Sequence, residues 1–198
     1  MIKALIFDHG GVITYGTSVG DACRTYSKKL NIPIGRVTEV IKRYWKLANI
    51  GSISSEDFWA SIKRNLNIKE STNHLRELWF SKVNIRKDVL DLIKSLRGKF
   101  KLCLLSNITE ARYLYTDKKF NTSKNFDFMV LSYKERIAKP DSRIYESALR
   151  KMDVKAEECV FIDDLERNLK PAEELGMKTI HFKNCKQLKK DLLRAIKF

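Results

Sequence analysis

The stretch ALIFDHGG, residues 4–11, decides the fold of this chain of 198 residues. Its first four residues are apolar, which is typical of a short strand buried on both faces, as in a parallel sheet. The glycines at its end predict a tight turn. Such a strand places the carboxylate of Asp8 in a buried turn, where an unpaired charge is costly. We therefore interpret Asp8 as a functional residue rather than as a turn former or a helix cap.

Further apolar runs recur along the chain, at residues 102–105, 126–131, 159–162 and 177–182. Segments with helical periodicity alternate with them, at residues 86–97, 109–119, 141–152 and 166–176. This alternation predicts an α/β fold, a Rossmann-like parallel sheet flanked by helices on both faces. A basic amphipathic segment at residues 188–196 is interpreted as a terminal helix docked on the sheet.

Residues 14–84 break this rhythm, because their apolar residues follow helical rather than strand-like spacing. We expect helices at residues 21–31, 36–49, 55–66 and 70–82. The segment is therefore interpreted as an all-helical insert after the first strand. The expected domains are a core of residues 1–13 and 85–198 and a helical domain of residues 14–84.

The charge of the chain is strongly basic. It has 39 Lys and Arg residues against 24 Asp and Glu, a formal net charge of +15. A solvated lysine-rich surface explains this charge, and so does attraction of anionic ligands such as phosphates. Nucleic acid is an unlikely partner, since no dense basic block is interleaved with aromatic residues.

The compartment is expected to be the cytoplasm. No run approaches the roughly 20 apolar residues that a membrane span needs. Asp8 interrupts the N-terminal apolar stretch too early for a signal peptide. The four cysteines and three histidines form neither paired CxxC motifs nor a zinc pattern. The sequence therefore predicts a reduced protein, and it does not indicate an oligomeric state.

Polar residues follow later apolar runs, as Asp8 follows the first. They are Ser106 and Asn107, then Lys139 after a loop, then Asp163 and Asp164. Because ligands of open parallel sheets bind beyond the carboxyl ends of the strands, we expect these side chains to be neighbours. Taken alone, Ser106-Asn107 also fits a helix cap and Lys139 a surface lysine. Adjacent carboxylates such as Asp163 and Asp164 repel each other, which is tolerable where a cation neutralises them.

This set of residue types predicts phosphate chemistry. Three carboxylates imply a hard cation with oxygen ligands, most simply Mg²⁺. A lysine and a hydroxyl beside that cation suit a tetrahedral phosphoryl group. A strand-end carboxylate can attack phosphorus and form an aspartyl-phosphate that water later hydrolyses. Catalysis would then rest on positioning and charge neutralisation.

Four segments carry a family resemblance: IFDHGGVI (residues 6–13), LLSN (104–107), AKPD (138–141) and FIDDLERN (161–168). In order and spacing they resemble the four motifs of the haloacid dehalogenase-like (HAD) hydrolase superfamily. The helical insert resembles the small α-helical cap of that superfamily. The resemblance covers essentially the whole chain. It implies a phosphatase-like hydrolase that uses Mg²⁺ and acts on a small phosphorylated metabolite.

The resemblance also implies which residues hold the metal. Asp8 would be both the nucleophile and a Mg²⁺ ligand. The backbone carbonyl of Gly10 would coordinate the same ion. Asp164 would bind it directly, and Asp163 would bind it through water.

A second group of residues would bind the phosphoryl group. The resemblance assigns its oxygens to Ser106, to the backbone N–H of Asn107 and to Lys139. Lys139 would in addition neutralise the nucleophile. Asn168 would steady the loop that carries the acidic pair.

Gly10 departs from the phosphatase pattern. HAD phosphatases usually carry a second aspartate at this position, two residues after the nucleophile, which protonates the leaving group. General acid–base catalysis contributes about 10²–10⁴-fold, so its loss should be felt. Three explanations stay open: a leaving group that needs little protonation, such as an anomeric sugar phosphate or an aryl phosphate; substitution by His9; or a weak catalyst that mainly binds phosphorylated ligands.

Gly10 also fits a dehalogenase, because haloacid dehalogenases of this superfamily lack the second aspartate too. Their cleavage of a carbon–halogen bond needs neither a leaving-group proton nor a metal. The Asp163-Asp164 pair favours the phosphatase, since a metal-free site gains nothing from two adjacent carboxylates.

The predicted cap would close over the site, with hinges near residues 14–20 and 83–86. Tyr15, Tyr44, Trp45 and Trp59 are candidates for a pocket wall. Aromatic residues at helical spacing more commonly form a core, so a cap core is the alternative interpretation.

Overall fold

A parallel sheet forms the centre of the molecule, of which the computed structural model describes residues 1–16 and 18–197. The strands are β1 (Ala4–Phe7), β2 (Thr14–Tyr15), β3 (Asn84–Ile85), β4 (Lys101–Ser106), β5 (Phe128–Leu131), β6 (Cys159–Asp163) and β7 (Lys178–His181). The main sheet has the order β5-β4-β1-β6-β7, and every neighbouring pair is parallel. The central strand β1 is buried along its whole length.

Helices cover both faces of this sheet. They are α5 (Lys87–Leu96), α8 (Ser142–Met152), α9 (Glu166–Glu174) and α10 (Cys185–Lys197), with α6 (Glu110–Phe120) and the short α7 (Ser132–Glu135) between strands. Leu5 and Phe7 of β1 pack in one apolar cluster with α5 and α10. Ala4 and Ile6 pack in another with α8 and α9. This alternation is the side-chain period of a strand, and the predicted α/β fold is confirmed.

Residues between β2 and β3 form the predicted run of helices: α1 (Val19–Leu30), α2 (Ile34–Asn49), α3 (Ser55–Asn65) and α4 (Thr72–Phe80). They share an apolar cluster of their own. The rings of Trp59 and Trp79 meet edge to face with centroids 5.5 Å apart. The Tyr26 hydroxyl donates to the Leu75 carbonyl at 2.5 Å. Trp59 is 1% exposed, so this aromatic residue belongs to the helical core and not to a pocket wall.

A short antiparallel ribbon carries the chain into and out of the helical run. Thr14 pairs with Ile85, and Tyr15 pairs with Asn84. Each strand has two residues, too few for sequence alternation to reveal it. Gly16 has a φ of +70°, and a Cβ there would lie 2.1 Å from the carbonyl oxygen of Lys82. Glycine is therefore required where the two connections approach each other.

The cysteines behave as small apolar residues. All four are free and buried, and Cys103 and Cys159 lie inside strands as expected. Cys185 begins α10, three residues before the predicted start of that helix. Within residues 1–16 and 18–197, no helix has the length and apolar character needed to cross a bilayer.

Ser132 joins the helical run to the sheet. Its hydroxyl donates to the carbonyl of Asn49, the last residue of α2, at 2.5 Å. The same oxygen accepts the N–H of Ile108, just after β4, at 2.9 Å. Ser132 is fully buried, so both groups lose their contact with water when they make this bridge.

Replacement of Ser132 by Ala is expected to lower the free energy of unfolding by about 1–3 kcal/mol, because it leaves a buried N–H and a buried carbonyl without partners. Urea denaturation measures this change. Ser95→Ala is the matched control, since the exposed Ser95 hydroxyl bonds only to its own helix at Leu92; it should change stability by less than about 0.5 kcal/mol. Equal effects of the two variants would contradict the bridging role.

Candidate active site

The carboxyl ends of three strands meet at one edge of the sheet. Asp8 follows β1, Ser106 ends β4 and Asp163 ends β6. The parallel register of β1 with both neighbours brings these ends level. The N–H of Asp8 continues the ladder by donating to the carbonyl of Ile162 at 2.9 Å. The predicted clustering of strand-end residues is therefore observed.

Lys139 is the hub of this cluster. Its Nζ donates to Asp8 Oδ1 at 2.8 Å, to Asp163 Oδ2 at 2.6 Å and to the carbonyl of Leu105 at 3.1 Å. An ammonium has three N–H donors, so all of them are used. The side chain is 1% exposed. Lys139 is thus a buried partner of two carboxylates and not a surface lysine.

Asn107 positions this lysine through its side chain. Its Oδ1 accepts the backbone N–H of Lys139 at 2.8 Å, and its Nδ2 donates to the backbone carbonyl of Lys139, also at 2.8 Å. The sequence interpretation considered the backbone N–H of Asn107 and missed this pairing, which requires knowledge of where the loop at residue 139 lies. Ser106, the residue before it, is 2% exposed and ends the strand beside Asp8.

Asp163 is held by protein groups on both oxygens. Asn168 Nδ2 lies 3.0 Å from each of them, and the N–H of Leu165 donates to Oδ1 at 2.9 Å. Together with Lys139, these donors saturate a carboxylate that is fully buried. Asn168 therefore orders the turn after β6, in agreement with the role implied for it by the motif.

Asp164 has an oxygen that no protein group satisfies. Its Oδ1 is buried and lacks a hydrogen-bond partner among the described residues. One oxygen from each of Asp8, Asp163 and Asp164 falls within a group whose members lie no more than 4.8 Å apart. Gly11, with a φ of +93°, leaves room for Asp164, because a Cβ there would lie 2.1 Å from Oδ2. Such a set of hard oxygen donors, one of them orphaned, fits a divalent cation.

The electrostatics of the site agree with that fit. Burial raises the pKa of Asp8 to about 6; Lys139 opposes the shift and Asp163 adds to it. Burial and the neighbouring Asp163 raise the pKa of Asp164. Burial acts to lower the pKa of Lys139, but Asp8 and Asp163 outweigh it and raise that pKa. Lys139 alone therefore does not supply enough positive charge to neutralise the neighbouring carboxylates.

His9 contacts Thr14 through one ring nitrogen, and its Nε2 is buried without a hydrogen-bond partner among the described residues. The residue is fully buried, and its Nδ1 lies 3.3 Å from the hydroxyl of Thr14. Burial lowers its pKa to about 3, with Arg112 and Lys139 adding to the shift. The imidazole is therefore neutral at physiological pH, which removes the charged form that would donate a proton to a leaving group.

Arg112 is a site residue that sequence reasoning missed. It lies in the first turn of α6 and lines the same cavity as Asp8. Its Nε and Nη2 atoms are buried without hydrogen-bond partners in the described part of the chain. The sequence contained no signal for it, because one arginine in a helix looks like many others in a chain with 39 basic residues.

A cavity of about 780 Å³ opens over the strand ends. From the sheet it is lined by Asp8, Gly10, Asn107, Lys139 and Asp164, and from the α1–α4 region by Asp21, Lys42, Trp45 and Lys46. Tyr15 and Trp45 are the aromatic residues considered above that line it. Its volume is in the range of sites for small molecules.

Comparison with known sequences identifies the class of protein. The model of the haloacid dehalogenase-like hydrolases matches residues 2–176. The chain therefore belongs to this family of hydrolases, as the motifs indicated.

Individual relatives differ in how much of their length is matched. Bifunctional epoxide hydrolase 2 of Sus scrofa is 25% identical over 90% of this chain, but the chain spans only 36% of that protein. D-ribitol-5-phosphate phosphatase of Bacteroides thetaiotaomicron is 25% identical over 97% of both proteins. A crystal structure of a HAD family enzyme from the same organism, in complex with magnesium and inorganic phosphate, superposes with a TM-score of 0.78 at 28% identity; the match covers 92% of this chain and 95% of that one.

The raised pKa of Asp8 predicts a pH dependence of stability in the metal-free protein. A folded-state pKa of about 6 exceeds the unfolded value of about 3.9, so the folded state binds more protons between these values. The resulting stabilisation is complete below about pH 4 and is lost as the pH rises to about 6. Between about pH 4 and pH 7 the free energy of unfolding of the wild-type protein therefore falls by up to about 3 kcal/mol. Asp8→Asn has no titrating carboxyl at this position, so it does not undergo this loss.

Urea denaturation at pH 4 and pH 7 in the presence of a chelator measures this difference. From pH 4 to pH 7, the free energy of unfolding of Asp8→Asn should increase relative to that of the wild type. The exposed Asp91→Asn, which removes a carboxylate that pairs with Lys94, is the matched control and should show no such gain. A constant difference between Asp8→Asn and the wild type would show that the Asp8 pKa is not raised.

Proposed function

We propose that this hydrolase is a Mg²⁺-dependent phosphomonoesterase that acts on a small phosphorylated metabolite through an aspartyl-phosphate on Asp8. The proposal is carried by one observation: the buried Asp8 carboxylate contacts Lys139, whose three donors are all in use, and it lies near an Asp164 oxygen that has no partner in the described part of the chain. A nucleophile, a fixed positive charge and a free metal ligand are the parts that phosphoryl transfer requires. The relative named as a sugar-alcohol phosphate phosphatase supports the same reaction class.

The cation would be held by Asp8, Asp164 and the backbone carbonyl of Gly10. Asp163 would act through water, which agrees with the saturation of its oxygens by protein donors. When bound, Mg²⁺ supplies positive charge that neutralises the phosphoryl oxygens.

The chain's own residues then orient the reaction. Lys139 holds Asp8 Oδ1 in place and offsets its charge. Ser106 and the N–H of Asn107 bind the phosphoryl oxygens. An oxygen of Asp8 forms a bond to phosphorus as the bond between phosphorus and the ester oxygen breaks. Water then attacks the aspartyl-phosphate, which releases phosphate and restores the carboxylate.

We propose that residues 14–84 form the cap and that residues 1–13 and 85–198 form the core. The separate apolar cluster of α1–α4 supports this division. Trp45 and the lysines Lys42 and Lys46 would give the cap side of the cavity an apolar surface and positive charge. Both features suit a metabolite with an anionic group and a carbon skeleton of modest size.

The dehalogenase remains the second candidate because Gly10 fits it. It predicts halide release from 2-haloacids that does not depend on divalent metal. The acidic cluster of Asp8, Asp163 and Asp164 favours the phosphatase, since a metal-free reaction has no use for it.

Phosphate release from a panel of sugar and polyol phosphates and an aryl phosphate is expected to require Mg²⁺. Asp8→Asn should lower kcat/KM by at least about 10³-fold, because it removes the nucleophile. Asp91→Asn, an exposed carboxylate on α5, serves as the matched control and should retain full activity. Turnover that persists in Asp8→Asn would refute the proposal, and release of halide but not phosphate would establish the dehalogenase.

Mg²⁺ should raise the melting temperature of the protein, because a ligand that binds the folded state stabilises it. Asp164→Asn is expected to abolish most of this shift, because it removes the negative charge of a carboxylate whose Oδ1 lacks a hydrogen-bond partner among the described residues. Differential scanning fluorimetry across a Mg²⁺ titration measures both effects without any substrate. A shift that is the same in Asp164→Asn as in the wild type would exclude Asp164 as a metal ligand.

A further inference from the structure

Two nitrogen atoms of the Arg112 guanidinium are buried without a hydrogen-bond partner among the described residues. The side chain reaches the cavity from the first turn of α6, and neither Nε nor Nη2 finds an acceptor among residues 1–16 and 18–197. Leaving a buried charged donor unsatisfied is costly, so the position calls for an anionic ligand. Burial lowers the pKa of Arg112 to about 10, with Asp8 and Asp164 opposing the shift. The guanidinium is therefore charged at neutral pH.

Arg112 lies in the space that Gly10 leaves free. A Cβ built on Gly10 would stand 2.8 Å from Nη2 of Arg112. Since Gly10 is two residues beyond Asp8, this donor borders the position where the phosphoryl group meets the nucleophile. A side chain at residue 10 would displace the guanidinium from that place.

Other groups around the cavity do not perform the same task. The three donors of Lys139 are committed to Asp8, Asp163 and Leu105. Lys42, Lys46 and Arg167 also line the cavity, but they are exposed to solvent, which weakens any contact they make.

Gly10 has no side chain that could donate a proton from the position two residues after Asp8. Hydrogen bonds from Ser18 and Arg24 lower the pKa of Asp21, so this carboxyl is ionised at neutral pH. His9 is fully buried, with its Nδ1 beside the hydroxyl of Thr14. A fixed cation next to the departing oxygen would stabilise the charge that develops on it without a proton transfer.

Resting on the phosphatase function proposed above, we propose that Arg112 binds the leaving-group oxygen of the substrate and stabilises its developing negative charge. As the bond between phosphorus and this oxygen breaks, its electron pair stays on the oxygen, which accepts a hydrogen bond from Nη2. The leaving group departs as an alkoxide or aryloxide and afterwards takes a proton from water. This arrangement favours phosphates of alcohols that carry negative charge well, such as aryl and anomeric sugar phosphates.

A comparison of two aryl phosphates tests this role. Phenol is a weaker acid than 4-nitrophenol, so phenyl phosphate depends more on stabilisation of its leaving group. Arg112→Gln should lower kcat/KM about 10-fold for 4-nitrophenyl phosphate and about 10²–10³-fold for phenyl phosphate, the loss typical of one oxyanion donor. Arg112→Lys keeps the charge but not the planar guanidinium, so its kcat/KM should lie between that of the wild type and that of Arg112→Gln. Equal losses on both substrates would overturn the leaving-group role.

Stability separates this role from a purely structural one. Because the unpartnered guanidinium costs free energy in the folded state, Arg112→Gln should unfold at the same or a higher urea concentration than the wild type. Arg150→Gln, at an exposed arginine on α8, is the matched control and should retain both activities. A fall in the urea midpoint of Arg112→Gln with parallel losses on the two substrates would show that Arg112 serves the fold.

Binding of inorganic phosphate, measured by calorimetry in the presence of Mg²⁺, keeps this test independent of turnover. Arg112→Gln should weaken phosphate binding about tenfold or more. Unchanged phosphate affinity would overturn the role of Arg112 even if the enzyme is an active phosphatase. If the wild type hydrolyses no phosphate ester, the phosphatase function and the leaving-group role both fail, and the same measurement decides whether Arg112 binds anions.

Discussion

The ammonium group of Lys139 lies between the carboxylates of Asp8 and Asp163, and the arrangement of the site depends on this contact. Lys139 and Asp8 are 131 residues apart in the chain, and the fold of the sheet brings them together. The side chain of Asn107 fixes the backbone of the lysine, and Asn168 fixes Asp163. Removing one partner from such a buried set leaves an uncompensated charge, which is far more costly than losing an exposed ion pair.

Lys139 does not balance the negative charge around it. Asp8 and Asp164 both have raised pKa values, and an oxygen of Asp164 has no partner among residues 1–16 and 18–197. Repulsion among these carboxylates thus destabilises the folded state at the edge of the sheet where the strands end. A bound cation would relieve this repulsion, which is why a metal-dependent reaction explains the site better than a metal-free one.

Gly10 and Arg112 form a second feature of the cavity in which charge is not fully paired. The absence of a side chain at residue 10 permits the approach of the guanidinium, since a Cβ there would crowd Nη2 at 2.8 Å. An enzyme with an aspartate at this position can supply a proton, whereas a fixed cation supplies charge. In the proposed reaction these two arrangements would make different demands on the leaving group, and Gly10 together with Arg112 would favour phosphate esters whose alcohols carry negative charge well.

The sequence by itself determined the order of strands and helices, the helical run before β3 and the strand-end residues, including Asp8, Ser106, Lys139, Asp163 and Asp164. These features are local: apolar runs, helical spacing and the residues that follow each strand are visible in short windows. Only the tertiary structure decided the β2–β3 ribbon, the pairing of Asn107 with Lys139 and the place of Arg112 beside Gly10. Each of these depends on where distant segments pass one another. Arg112 stands out because two of its buried nitrogens have no partner among the described residues, which no local sequence pattern can show.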